Sequence, residues 1–207
     1  MDRNILIIFV KAPVPGKVKT RLVPYFTYEE AAAQYMKWAQ HLYQQVSCLK
    51  DISVQVAYAP SPDFLNPFWL NLNNSISFFY QVGYDLGEKL VHAFQKGFFL
   101  KAKHVVVIGT DSPDLPMEYI SEAFFYLEKN EVVVGPAEDG GYYLIGLKEK
   151  VYSGLFENIN WSTEKVLNQT LNAAERFNLQ THLLPVHYDI DSPEDLKKIK
   201  GVFHANT

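Results

Sequence analysis

At 207 residues, with 48% hydrophobic and 14% aromatic content, the chain can bury a sizeable core, which excludes disorder and predicts one compact domain over residues 1–207. Nineteen basic against twenty-three acidic residues leave a formal net charge of −4 without a long basic stripe, which argues against nucleic acid and for small-molecule partners. The single Cys48 excludes an intramolecular disulfide framework; in an apolar-periodic helix it is expected as a small buried hydrophobe, consistent with a reducing, cytoplasmic setting.

In chain order, Ile5 to Val10 is a continuous apolar run, the pattern of a central parallel strand covered on both faces. Six residues behind a nearly neutral Met1-Asp2-Arg3-Asn4 are too few for a signal-peptide core or a membrane span. A Pro-, Gly- and Lys-rich loop follows from Lys11 to Pro24. The Thr27-Tyr28-Glu29-Glu30 capping box then opens a helix to about Cys48, with Ala32, Tyr35, Met36, Ala39, Leu42, Tyr43 and Val46 as its core stripe. Ile52 to Tyr58 is a predicted strand, Phe64 to Leu70 a helical turn, and Ile76 to Tyr80 a short strand. Leu86 to Leu100 has helical apolar spacing and precedes a strand from Val105. Pro116 to Lys129 is a predicted helix, Val132 to Val134 a strand, and Tyr142 to Leu147 a strand after the Gly140-Gly141 turn. Ser162 is expected to cap a helix reaching about Phe177, Thr181 to Val186 forms a late strand, and Ser192-Pro193-Glu194-Asp195 opens a short terminal helix. This alternation predicts an α/β fold: a doubly wound, mostly parallel sheet flanked by helices.

The chemistry-bearing residues sit at the ends of the predicted strands. His104 to Ile108 runs into Gly109-Thr110-Asp111-Ser112-Pro113-Asp114-Leu115-Pro116. Carboxylates at the carboxyl end of a buried strand are where open α/β sheets bind ligands, and oxygen donors suit Mg²⁺ or Mn²⁺ better than zinc; helix capping by Asp111 or Ser112 is the alternative. The first loop carries Lys11, Lys17, Lys19 and Arg21 with Gly16 and Thr20, a clustering suited to anions at the first strand-to-helix turn. It is not a Walker A loop, since Lys11 and Val18 stand where that pattern needs Gly and Ser or Thr, and it lacks the dinucleotide-binding glycines. Glu138 and Asp139 precede Gly140-Gly141, which allow positive φ and close approach to a ligand, or simple hairpin punctuation. Asp189 and Asp191 fall on one side if a strand continues through them, or serve as helix caps. No histidine pair has helical zinc-ligand spacing; His92 and His104 are expected at the surface or in packing.

These segments together resemble a bacterial glycosyltransferase-like family described as radical-SAM/selenodomain-associated transferases. The resemblance runs through K-A-P-x-P-G-x-x-K-T-R-L at 11–22, D-L-G-E at 85–88, G-T-D-S-P-D-L-P at 109–116, G-P-A-E-D-G-G-Y-Y-L-I-G at 135–146, W-S-T at 161–163 and D-I-D-S-P-E-D-L at 189–196. It implies the GT-A fold of nucleotide-diphospho-sugar transferases, alongside the molybdenum-cofactor and deazaflavin-cofactor guanylyltransferases. It also implies that Lys19 and Arg21 meet nucleotide phosphates, with Lys11, Gly16 and Thr20 in the same loop, and that Asp111 is the principal metal ligand. Asp191 would approach the metal from the C-terminal motif, and Asp139 would face substrate or metal from the glycine turn. Asp114 is the less certain acid of its segment. Tyr84 and Lys89 stand where a Gly and an Arg are expected around D-L-G-E, which leaves that helix start with a packing role.

The reaction expected on this basis is glycosyl transfer from a nucleoside diphosphate sugar to an unidentified small-molecule acceptor, assisted by Mg²⁺ or Mn²⁺, with Asp139 as general base if the transfer inverts. The alternatives are nucleotidyl transfer from an NTP to a phosphorylated substrate, and a catalytically silent nucleotide-binding protein. Tyr142 and Trp161 are candidates for the acceptor side. The aromatic clusters Phe64, Phe68, Trp69 and Phe78, Phe79, Tyr80 could line an acceptor site or a homodimer surface, but are read as core.

Overall fold

The computed structural model describes residues 3–59 and 77–199; the expected turn at 64–70 and the cluster Phe64, Phe68, Trp69 lie outside them. Seven strands form one sheet: β1 (Arg3–Lys11), β2 (Ile52–Ala59), β3 (Ser77–Tyr80), β4 (Ala102–Ile108), β5 (Val132–Pro136), β6 (Tyr142–Lys148) and β7 (Thr181–Leu183), in the order β3-β2-β1-β4-β6-β5-β7. All neighbours pair in parallel except β6, which runs antiparallel to both β4 and β5. The expected doubly wound, mostly parallel sheet is what forms.

The unbroken apolar run of β1 feeds two cores, because successive side chains on a strand point to opposite faces. Leu6, Ile8 and Val10 pack with Ala39 and Leu42 of helix α1 (Tyr28–Val46) and with Ile120 and Phe124 of α3 (Met117–Leu127). Ile5 and Ile7 pack with Leu90 and Phe94 of α2 (Leu86–Phe99) and Ala173 of α4 (Val166–Arg176). The α1 capping box forms as expected: Thr27 Oγ1 accepts from Glu30 N at 3.2 Å, and Thr27 N donates to Glu30 Oε2 at 2.8 Å.

Several local expectations are corrected. Cys48 is exposed, because α1 ends at Val46 and the thiol lies beyond it, donating to Gln44 O at 3.4 Å. Phe78 and Tyr80 are exposed rather than core, since β3 is an edge strand with only Phe79 turned toward α2. Ser162 does not cap α4; it adopts φ 62° in the preceding loop, and α4 starts four residues later. The late strand stops at Leu183, followed by an isolated bridge between Ala137 and His187, and the terminal helix is a single 3-10 turn at Asp195–Lys197. In keeping with the packing role expected of it, His104 is fully buried and bonds Asn4 Oδ1 through Nδ1 at 3.0 Å.

The connectivity fixes where a site can form. The chain winds from β1 outward through β2 to β3, then returns to place β4 on the other side of β1. The loops after β1 and β4 therefore diverge from adjacent strands at a switch point of the sheet, leaving a crevice at their carboxyl ends.

Candidate functional site

Lys11 closes β1, and Gly109, Thr110 and Asp111 follow β4. The two strand ends are tied by a polar chain. Lys11 N donates to the Tyr35 hydroxyl at 2.9 Å, that hydroxyl meets Thr110 Oγ1 at 2.9 Å, and Thr110 Oγ1 reaches Phe9 O at 3.4 Å. Burial pushes the Tyr35 phenol well above its ordinary pKa, so it stays protonated as a structural donor.

Above this floor lies a cavity of about 500 Å³ lined by Lys11, Lys17, Val18, Lys19, Thr20, Arg21, Tyr35, Asp111, Asp139, Ser162, Thr163, Glu164 and Asp191. The cations of the first loop and the acids of four later segments thus meet in one space. Of the sequence candidates, Lys11, Lys19, Thr20, Arg21, Asp111, Asp139 and Asp191 all line it. Gly16 lies outside the lining and turns the loop at φ 76°.

Lys19 is the centre of the charge arrangement. Its Nζ donates to Ile190 O at 2.8 Å and Asp191 Oδ1 at 3.1 Å, and pairs with Asp111 Oδ1. Burial alone would lower the ammonium's pKa, but the charges of Asp111 and Asp191 outweigh it and hold it above the usual lysine range. Burial would likewise raise the Asp111 pKa, yet Lys19, helped by Lys11, keeps that carboxyl below the usual range. The Asp111 side chain is 45% exposed and opens onto the cavity it lines. Arg21 is 79% exposed, with Nη1 3.7 Å from Asp191 Oδ2.

The C-terminal acids are delivered by a buried anchor, not by a strand. Ile190 is fully buried against Leu22 and Trp38, and its N–H donates to Asp111 O at 2.8 Å. Asp191 then faces Lys19, while Asp189 accepts from Ser112 Oγ at 2.6 Å. Burial, together with the charges of Asp111, Asp139 and Asp191, pushes the Asp189 carboxyl up to about 6 despite the serine bond. Asp139 Oδ1 accepts from Gly141 N at 2.8 Å, which fixes the carboxylate at the cavity edge. Gly140 has φ 85°, and a Cβ there would stand 2.4 Å from Glu164 O, so glycine lets the Asp139 turn lie against the 162–164 segment.

A second cavity of about 330 Å³ shares Lys11, Tyr35, Asp111 and Ser162 with the first. Phe9, Leu90, Val107, Tyr142, Tyr143 and Ile145 give it an apolar side, with Gln81, Lys89 and Thr110 as polar groups. Tyr142 lines it; Trp161 stands behind, its ring 6.5 Å from that of Tyr142 and outside the lining of both cavities. A Cβ on Gly87 would lie 2.6 Å from Phe156 O and 3.1 Å from the Trp161 ring, so the D-L-G-E and W-S-T segments pack together. Asp114 leaves the cleft and accepts from the Tyr188 hydroxyl, with His187 Nε2 at 3.4 Å from its Oδ1.

Mg²⁺ or Mn²⁺ fits the oxygen donors present. Asp111 Oδ1 and Asp191 Oδ1 converge on one point, which the Lys19 ammonium occupies. Among the described residues no three His, Cys, Asp or Glu side chains are gathered to hold a metal; two carboxylates with water and phosphate oxygens are the habitual Mg²⁺ shell. No helix among the described residues is long and apolar enough to cross a membrane.

The sequence itself places the chain in a family. It belongs to the family described as an uncharacterized protein conserved in bacteria (DUF2064), whose profile matches residues 42–163. It is similar to a protein from Desulfovibrio desulfuricans G20, provisionally described as a nucleotide-diphospho-sugar transferase. That match has 35% identity and a TM-score of 0.86, and covers 93% of this chain and 84% of that one. The fold is shared with a CMP:2-keto-3-deoxy-manno-octonic acid synthetase solved with CTP, at 11% identity and a TM-score of 0.59 over 95% of this chain and 96% of that one. It is also shared with 4-diphosphocytidyl-2C-methyl-D-erythritol synthase from Anaerococcus prevotii DSM 20548, at 12% identity and a TM-score of 0.60 over 94% of each chain. No curated protein sequence matches the chain.

Proposed function

We propose that the protein is a transferase acting on a nucleoside diphosphate sugar, passing the glycosyl group to a small-molecule acceptor. The observation that carries this reading is the single cavity holding Lys11, Lys17 and Arg21 beside Asp111, Asp139 and Asp191. Exposed cations facing paired carboxylates suit a diphosphate whose charge must be balanced on both flanks. The provisional description of the Desulfovibrio relative is in keeping with it.

In this reading Lys11 and Arg21 hold the phosphates, and the preorganised cations stabilise the charge that develops as the nucleoside diphosphate leaves. A divalent cation held by Asp111 and Asp191 supplies further neutralisation of the diphosphate when bound. In an inverting transfer the Asp139 carboxylate takes the proton of the acceptor hydroxyl. The acceptor oxygen then bonds the anomeric carbon as the carbon–oxygen bond to the diphosphate breaks. The hydrogen bond from Gly141 N occupies Asp139 Oδ1 and leaves Oδ2 for that proton. The half-apolar second cavity takes the uncharged part of a substrate, with Tyr142 in its wall.

The number of loop cations favours a second reading. Lys11, Lys17 and Arg21, with Lys19 behind them, could also balance the larger charge of a triphosphate, and nucleotidyl transfer to a phosphorylated substrate would use the same cleft. Purified protein incubated separately with NDP-sugar and NTP panels and Mn²⁺ separates the two: nucleoside diphosphate release supports glycosyl transfer, and pyrophosphate release supports nucleotidyl transfer. Asp111→Asn is expected to lower either activity by about 100-fold or more, the scale for losing a principal electrostatic contact. Turnover unaffected by Asp111→Asn overturns the proposed site.

A further inference from the structure

Within the first loop one cation is turned inward onto carboxylates rather than out to solvent. Lys17, Thr20 and Arg21 are exposed, whereas the Lys19 side chain is only 3% exposed, less than any other side chain in a described salt bridge except that of His104. Its backbone adopts φ 48° and ψ 37°, a left-handed conformation uncommon for a non-glycine residue. The loop is thereby bent so that this ammonium enters between the carboxylates of Asp111 and Asp191, where Ile190 O accepts its third contact. All three hydrogens of an ammonium are accounted for by these oxygens.

Two carboxylates brought to one point need a cation there, since like charges at this range disfavour each other's ionisation. An intrinsic ammonium meets that need in the free protein. Mg²⁺ or Mn²⁺ binding the same oxygens requires distances of about 2.0–2.2 Å, and no such ion can share Asp111 Oδ1 and Asp191 Oδ1 with Nζ already bonded to both. We propose that Lys19 is a built-in counter-ion that fills the divalent-cation position of this cleft, so that the free protein takes a metal only after Lys19 has been drawn off its two carboxylates. A polyphosphate in the cavity is the chemistry that would draw it, because Lys19 lines the same 500 Å³ space as Lys11, Lys17 and Arg21. Metal and polyphosphate then bind with positive coupling, each raising the other's affinity by the same factor. This last step rests on the nucleotide-binding reading above; the exclusion of metal from the free protein does not.

The test titrates Mn²⁺ alone into nucleotide-free protein and counts bound ion by electron paramagnetic resonance. Wild type is expected to bind Mn²⁺ weakly, and Lys19→Met at least tenfold more tightly. Lys19→Met with Asp111→Asn should lose the gain, and Lys19→Arg, which keeps the charge, should behave as wild type. Equal Mn²⁺ affinity in wild type and Lys19→Met overturns the proposal. If Lys19→Met folds only poorly, thermal unfolding with and without Mn²⁺ reads the same question: a Mn²⁺-dependent rise in Tm for the variant but not for wild type supports it, and the same response in both overturns it. Since no nucleotide enters these measurements, a protein indifferent to every nucleotide would refute the transferase reading and leave this result standing.

Discussion

Asp139 and Asp114 show how one residue type takes opposite roles according to what surrounds it. Asp139 is exposed at the cavity edge and spends one oxygen on its own turn, so Asp139→Asn should preserve the turn and lower turnover while leaving substrate affinity nearly unchanged; separate kcat and KM values check this. Asp114 points away, into Tyr188 and His187. Burial pushes its pKa up, but the His187 and Tyr188 contacts outweigh that and hold the carboxyl below the usual range. A carboxyl with a lowered folded pKa contributes stability above its unfolded value, about 3.9, and loses it as pH falls toward the folded one. Asp114→Asn is therefore expected to be less stable than wild type at pH 7, with the gap closing as pH falls below about 4. Urea midpoints at both pH values would show it, and a gap independent of pH would contradict the role given to the charge.

At the scale of elements, the site depends on turns that are held in place by neighbouring segments. The β5–β6 hairpin carries Asp139, and its Gly140 lies against Glu164, with Leu167 N donating to Gly140 O at 2.9 Å. Gly140→Ala would force a Cβ into the Glu164 backbone at a positive φ. We expect it to cost more than about 2 kcal/mol, and to displace the 162–164 segment from the cavity. A comparison of thermal unfolding with Gly141→Ala is informative, because at that position the nearest atom to a Cβ would be the Asp139 carboxylate, at 3.1 Å, rather than backbone. Thr27→Ala, by contrast, removes a cap whose residue is outside the cavity lining and should cost about 1 kcal/mol with little change in catalysis.

Over the whole molecule, the C-terminal segment closes the cleft by long-range contacts. Lys19 and the Ile190 carbonyl are 171 residues apart in sequence, and Ile190 itself is fully buried in a small cluster with Leu22 and Trp38, separate from the two sheet cores. That cluster holds the first loop and the last motif in one place. Ile190→Ala should destabilise the protein by about 2 to 5 kcal/mol and loosen Asp191, so that Asp191-dependent activity falls further than the stability loss explains; activity measured well below Tm distinguishes the two effects.

The strands were legible because buried parallel strands demand unbroken apolar runs, as Ile5 to Val10 and Val105 to Ile108 supply, and because acids directly after such a run have few structural uses. By themselves, the residues thus pointed to a mostly parallel sheet, the alternation of strand and helix, and the segments bearing Asp111, Asp139 and Asp191, though not the strand order or the reversed β6. They did not show that Lys19 turns inward, that Ser162 takes a left-handed loop conformation, that Cys48 lies beyond its helix, or that Gly87 and Trp161 pack together. Periodicity and capping are local, reaching a turn or two along the chain. Which ammonium neutralises which carboxylate is decided only when segments far apart in sequence are brought within a few ångströms, and that is a property of the tertiary structure alone.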